Sequence, residues 1–357
     1  MSRPDDRPLR RLPQLADAKA TLERCVFCPK LCRSACPVSN AEPRETLTPW
    51  GKMSLAYFTA NESVPLDASH AAPAWACTGC FGCREHCDHE NDVTGTLFAA
   101  RSAVAETAPE AVPAAALRVR EAFTGTTAGG LRDELAEWLD ESAGVAVLVG
   151  CAYDADVARD VVRAVAGLTG GKVALVESCC GNPLLHAGDR AGFDAQGAKL
   201  AEAVKDRDRV VVADAGCASA MKLHHTTTFA PLVVHFSELA AHELVRLKRL
   251  DLGPVRWHDP CQLGRGLGLY EPPRQVLGRV LGKAPEEFPR RREDARCSGG
   301  GGLLPVTMPE VSRTMARERV AEGSGTIVTA CASSARSFRK AGATVLDLAT
   351  VVAQALE

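Results

Sequence analysis

The sequence predicts a multidomain α and α/β protein: a helical, loop-rich N-terminal domain followed by two repeated α/β cysteine-rich domains. Three observations carry this. The chain has 357 residues, more than one core usually holds. The first 120 residues show no strand pattern of any length, whereas from about residue 130 short apolar runs alternate with amphipathic stretches. That later texture occurs twice, with cysteines at corresponding places.

Taken in order, an Arg/Pro-rich lead-in passes into a short helix (LADAKATLERC, 15–25), and the Pro-punctuated stretch 42–58 ends in another. Residues 97–122 are Ala-rich with helical spacing, broken at Pro109 and Pro113 because proline lacks the N–H a helix interior needs. TGTTAGG (124–130) reads as a linker. LRDELAEWLDE (131–141) reads as a helix. Buried parallel strands are expected at 145–150, 172–177, 209–214 and 232–236, with helices at 157–168, 195–206 and 237–250 between them. The pattern returns with strands at 255–259, 326–330 and 344–348 and helices at 273–282, 309–322 and 349–357. The expected domains are therefore 1–125, 140–250 and 251–357.

A 46% apolar and 24% charged chain is an ordinary globular composition, and a net charge of −2 offers no basic surface for nucleic acid or anionic lipid. No run of 18 apolar residues suggests a membrane span, and the first residues lack the apolar core of a secretory signal. A cytoplasmic protein is expected, any membrane contact coming through a partner.

Cysteine is the outlier, with 15 residues. In a reducing compartment such a number points to soft metal rather than disulfides. Cys77, Cys80, Cys83 and Cys87 have C-x2-C-x2-C-x3-C spacing, that of a bacterial ferredoxin site; Cys25, Cys28, Cys32 and Cys36 form C-x2-C-x3-C-x3-C-P. In two-cluster ferredoxins the fourth cysteine serves the other cluster. Two [4Fe–4S] sites follow: Cys25, Cys28, Cys32 and Cys87 in one, and Cys77, Cys80, Cys83 and Cys36 in the other. Gly79 and Gly82 let backbone amides approach the sulfurs. Structural zinc is the rival, although zinc usually separates two C-x2-C pairs by a dozen residues or more. His86 and His89 flank Cys87 and read as exposed or as hydrogen-bonding near the cluster. A fully thiolate-bound cluster conducts electrons and leaves no iron open to substrate, so catalytic residues are not assigned.

The remaining cysteines fall at strand ends and in the loops beyond, where open α/β sheets bind ligands. GCAYDAD (150–156) corresponds to DPCQLGR (259–265), SCCGNPLLHAG (178–188) to RCSGGGGLLPV (296–306), and VVVADAGCASAMK (210–222) to TIVTACASSARSFRK (326–340). On these motifs the chain resembles the Cys-Cys-Gly domain proteins, which include heterodisulfide reductase catalytic subunits and the iron–sulfur subunits of glycolate oxidase and related lactate-oxidising systems. The resemblance covers almost the whole chain. It implies metal ligation by Cys151, Cys179, Cys180 and Cys217 in the first repeat and by Cys261, Cys297 and Cys331 in the second. Asp214, Ser298 and Ser334 stand where the family has further cysteines. Four thiolates suffice for a third Fe–S cluster or a zinc ion; three would leave one iron open or completed by another ligand; alternatively the repeats share one cluster at their interface.

The resemblance further implies an electron-transfer subunit working with a flavoprotein 2-hydroxyacid dehydrogenase or another redox subunit. The alternatives are a disulfide or thiol reductase and a zinc-stabilised scaffold. No flavin or dinucleotide fingerprint is present, and Gly299–Gly302 lacks the Lys-Ser/Thr of a phosphate loop, so it reads as a place of close backbone approach. His258, Asp259 and Arg265 around Cys261 read as a satisfied polar cluster or a proton donor, Asp214 as a helix cap, and His224 and His225 as surface residues.

Overall fold

The computed structural model describes residues 8–126, 131–225, 229 and 233–356, so residues 127–130 of the expected linker and residue 232 of one expected strand lie outside the described residues. Contacts divide the chain into two units. One comprises Met1–Phe123 with Pro183–Gly192 and Arg296–Arg317; the other comprises Thr124–Asn182, Phe193–Ala295 and Glu318–Glu357.

Within the first unit the described residues form helices and loops without strands. The helix Val93–Thr107 starts on Asp92, whose side chain accepts from Gly95 N at 2.9 Å, and it ends before Pro109. A short turn (Pro109–Ala111) and the helix Ala114–Glu121 follow, so both prolines act as breaks. Leu97, Ala100 and Val104 turn into a core with Leu15, Leu22, Met53 and Trp75. Arg101 lies on that same buried face and is fully enclosed. Its guanidinium donates to Ala74 O (2.9 Å), Cys77 O (2.6 Å), His186 O (2.9 Å) and Gly302 O (3.4 Å), which fastens Pro183–Gly192 and Arg296–Arg317 onto the N-terminal helices. Burial lowers its pKa to about 10, so it stays charged at neutral pH.

The second unit holds two four-stranded parallel sheets of matching topology. The strands of the first are β1 (Val145–Leu148), β2 (Ala174–Leu175), β3 (Arg209–Val212) and β4 (Val233–His235), in the order β2-β1-β3-β4. The second has β5 (Val255–Trp257), β6 (Glu286–Glu287), β7 (Thr326–Thr329) and β8 (Val345–Asp347), in the order β6-β5-β7-β8. The repeat read from sequence is thus a repeat of topology. The helix Ala155–Thr169, capped by Asp154 accepting from Val157 N at 3.0 Å, presents Val157, Val161, Val165 and Leu168 at helical spacing. It shares one apolar core with the helix Leu348–Leu356 and with residues of both sheets. Each such fully buried Val or Leu contributes about 1.5–3 kcal/mol.

Three local expectations are corrected. Residues 131–141 form turns and a short 3-10 segment (Ala136–Trp138) rather than a helix, because Val173 N donates to Trp138 O and Asp140 N to Val173 O, drawing Leu139 alongside the sheet. The helix expected over 237–250 runs Phe236–His242, since Lys248 N and Leu250 N bond to Ala355 O and Val280 O. β6 was not anticipated in the second repeat. Among the described residues no helix is long and apolar enough to cross a membrane.

This packing can be probed in two ways. Arg101→Met leaves several buried carbonyls without donors and is expected to lower the unfolding free energy by about 3 kcal/mol or more, measured by urea denaturation. Burial holds His235 at a pKa of about 3 and His258 well below the usual imidazole value. The unfolded chain takes up protons at both below about pH 6.5, so stability is complete above that pH and declines below it, by up to about 1.4 kcal/mol per unit for each histidine. Urea titrations at pH 7.5 and 5 should show the loss, and His235→Asn should reduce it.

Candidate functional site

Two cavities in the first unit gather the N-terminal cysteines. Cys25, Cys28, Cys32 and Cys87 line one, together with Cys83, Trp50, His89 and Asn91. Cys36, Cys77, Cys80 and Cys83 line the other, with Lys52, Thr78 and Phe81. Chain order is crossed: Cys87 faces the cysteines of the first motif and Cys36 those of the second. The two cavities differ in the exposure of their cysteines: Cys36, Cys77 and Cys80 are buried and Cys83 partly exposed, whereas Cys25, Cys28, Cys32 and Cys87 are all partly exposed. Phe27, beside Cys28, is 78% exposed, an unusual place for a large apolar side chain.

Polar groups point at the sulfurs. Asn91 is buried and donates through Nδ2 to Cys25 Sγ (2.9 Å) and to Thr21 O (2.9 Å). Lys52 is 2% exposed, and its Nζ lies 3.5 Å from Cys36 Sγ. Burial opposes the Lys52 charge, but the sulfurs of Cys36 and Cys77 outweigh it and leave the pKa raised. Burial, partly offset by the Asn91 hydrogen bond, pushes Cys25 up to about 12, and burial pushes Cys32 up to about 11. The bare thiols of Cys25 and Cys32 therefore stay protonated at neutral pH, and ligation through them must release protons. His86 is exposed and pairs through Nδ1 with Gly82 O at 2.9 Å.

One turn recurs in three places. Gly79 N donates to Cys77 Sγ, Gly181 N to Cys179 Sγ and Gly299 N to Cys297 Sγ, each at 3.4 Å. The three glycines have φ of 69°, 79° and 79°, a region that disfavours side chains. In each turn a buried sulfur receives a backbone amide, an environment that favours a bound thiolate. The Gly299–Gly302 run brings the third turn to the first: a Cβ on Gly302 would stand 2.1 Å from Cys77 O, and Cys297 Sγ is 3.7 Å from Thr78 Oγ1. Cys297 accordingly belongs by contact to the helical unit, and Cys261 and Cys331 to the α/β unit.

In the α/β unit Cys180 Sγ lies 3.3 Å from Cys217 Sγ, and Cys179 Sγ 3.8 Å from Cys151 Sγ. Gln196 donates to Cys179 O (3.0 Å) and Ser178 Oγ (3.0 Å). His225 is not a free surface residue: its Nε2 lies 2.8 Å from Cys180 O, and its ring stacks on Phe193 at 3.8 Å. Among the described residues no three His, Cys, Asp or Glu side chains are gathered tightly enough for a single metal ion. The N-terminal sulfurs instead stand around cavities, a soft donor set of the kind that Fe–S clusters take.

Residues 21–91 match the model of the 4Fe-4S dicluster domain, and residues 145–222 and 255–337 each match that of the cysteine-rich domain. The chain joins a dicluster domain to two cysteine-rich domains. It is 32% identical over 203 residues to one subunit of the dihydromethanophenazine:CoB–CoM heterodisulfide reductase of Methanosarcina acetivorans, covering 50% of each chain. It is 25% identical over 318 residues to one subunit of the CoM/CoB fumarate reductase of Methanothermobacter marburgensis, covering 84% of this chain and 63% of the relative. Lactate utilization protein A 2 of Bacillus cereus is 25% identical over 160 residues, 40% of this chain and 64% of the relative. The chain thus spans between half and two thirds of these curated relatives. No solved structure matches it.

The two cysteine-rich domains meet at Asp214. Its Oδ1 accepts from Gly216 N (2.8 Å) and Cys217 N (3.1 Å), capping the helix Ala215–Ser219, and its Oδ2 accepts from Ala332 N (2.9 Å), just past Cys331. Both oxygens are thereby engaged, so Asp214 acts as a cap serving both domains. Around Cys261 the polar residues are satisfied. Asp259 accepts from Arg274 (2.7 and 2.8 Å), Trp257 Nε1 (3.0 Å) and Arg292 N (2.8 Å), while Arg265 donates to Glu293 O and Ala295 O. Sequence reasoning missed Lys52, Arg101, Asn91 and Gln196, which carry no motif; for Lys52 and Arg101 the one signal was a basic residue at an apolar helix register. Asp214→Ala is expected to cost about 2 kcal/mol while leaving iron per chain unchanged. A drop in iron in a folded Asp214→Ala protein would make it a ligand.

Proposed function

We propose that this chain is the electron-transfer subunit of an iron–sulfur oxidoreductase. Cys25, Cys28, Cys32 and Cys87 would hold one [4Fe–4S] cluster, and Cys77, Cys80, Cys83 and Cys36 a second. The observation that carries this is the crossed lining of the two cavities, in which each motif lends its last cysteine to the other. Bound clusters would supply reversible one-electron storage at these sites. The protein's part is to exclude water around Cys36, Cys77 and Cys80, to aim amides at the sulfurs, and to leave the Cys25, Cys28, Cys32 and Cys87 side partly open to a partner. Functional domains at 1–125, 140–250 and 251–357 are proposed by sequence, although Pro183–Gly192 and Arg296–Arg317, with Cys297, pack with the first of them.

The four thiols Cys151, Cys179, Cys180 and Cys217 are the candidates for a further cluster, or zinc, in the first cysteine-rich domain. Cys261, Cys297 and Cys331 are those of the second. The relatives' names support a redox complex; the resemblance to glycolate- and lactate-oxidising systems favours a flavoprotein 2-hydroxyacid dehydrogenase as the partner, in the cytoplasm. The likeness to a heterodisulfide reductase subunit favours a second reading, disulfide reduction in the cysteine-rich domains. Turnover of a disulfide with a dithiol donor and no partner would support it.

Anaerobic purification with iron, sulfide and zinc analysis and EPR tests the first reading. About eight irons mean that the dicluster domain alone is loaded, and about twelve place a further cluster in the cysteine-rich domains, lost in Cys179→Ser. Cys36→Ser should remove the EPR signal that Cys80→Ser removes, and Cys87→Ser the one that Cys28→Ser removes. Zinc without iron would overturn the proposal.

A further inference from the structure

The two cavities differ in which group reaches their sulfurs. Arg24 and Lys30 both line the half-open cavity, but each is engaged elsewhere: Arg24 donates to Asn91 Oδ1 at 3.3 Å, and Lys30 Nζ pairs with Glu45 at 3.1 Å and lies 3.8 Å over the Trp50 ring. The donor that reaches a sulfur there is the neutral amide of Asn91. The enclosed cavity has Lys52, on the helix Pro49–Ala60, with Nζ 3.5 Å from Cys36 Sγ. Among the described residues no carboxylate pairs with Lys52. A buried cation without a counter-charge is strongly disfavoured, and negative charge gathering at the sulfurs beside it would account for its place.

We propose that Lys52 sets the order in which the two dicluster sites are reduced, placing the Cys36, Cys77, Cys80 and Cys83 site at the higher potential. Reduction adds one negative charge to a site. A fixed cation in a low-dielectric cavity stabilises that charge, and an N–H donated to a ligand sulfur acts in the same direction. The electron therefore rests on the enclosed site, beside the turn that carries Cys297, and the half-open site is the transient one. Lys52 touches a ligand sulfur and leaves the ligand set unchanged.

This rests on the two-cluster reading above, and the experiment separates the two. Full-length protein, purified anaerobically, is titrated with dithionite and mediators while EPR follows each signal. The enclosed site is identified as the signal missing in Cys36→Ser. Wild-type protein without two [4Fe–4S] signals would remove the two-cluster reading itself. With both signals present, the enclosed site should have the higher midpoint. Lys52→Gln and Lys52→Met should lower its reduced-to-oxidised ratio at least tenfold at the wild-type midpoint, a shift of about 59 mV for one electron. Lys52→Arg should keep it within threefold, and the other signal should stay within threefold in every variant. An unmoved enclosed signal, an equal shift in both, or a lower enclosed midpoint in wild type would overturn the inference. Loss of the enclosed cluster in both neutral variants would overturn it too, since Lys52 would then build the site and not tune it.

Discussion

The helical unit depends on one buried guanidinium. Arg101 donates to four carbonyls from three separate stretches of the chain: those of Ala74, at the end of the helix Ala68–Trp75, and Cys77 just beyond it, that of His186 and that of Gly302. A guanidinium is suited to this because its donors form a rigid planar fork and it remains charged when buried. A lysine would present a single point of attachment. The position of the Cys77 loop is therefore set by the helix behind it and by two segments that arrive from the α/β part of the sequence.

On this frame the protein uses one small turn repeatedly. A cysteine, any residue and a left-handed glycine place an amide against the sulfur, at Cys77, Cys179 and Cys297. The middle residue is then free to differ: it is Thr78 in the first, Cys180 in the second and Ser298 in the third. In the second it adds a thiol facing Cys217; in the first, the Thr78 hydroxyl meets Cys297. The same backbone device thus serves sites of different composition, which is how two repeats can share a topology while their cysteine counts differ.

Much of this was legible in sequence because it rests on local rules. Cysteine spacing, the breaks at Pro109 and Pro113, and the apolar runs of the central strands each follow from a few adjacent residues. What escaped was set by distant partners. Residues 131–141 have helical composition, but Val173 captures their backbone groups and draws the segment along the sheet. Glu286–Glu287 has no apolar character to mark a strand; Arg274 holds Glu287 while β5 supplies the pairing. His225 carries no local sign that Cys180 O and Phe193 await it. Lys52 and Arg101 look like ordinary surface cations until the helices are packed.

The helical unit is discontinuous in the chain, and this bears on how the protein is made. Its N-terminal helices and cysteine loops leave the ribosome first, yet two of the carbonyls that satisfy Arg101 come from residues 186 and 302. Until residue 302 has been synthesised, the loop carrying Cys77 lacks the lining that Gly302 and Cys297 provide. The final lining of the Cys77 loop is thus supplied by residues made some 201 positions after Arg101, so this loop can be completed only late relative to the helices that carry it.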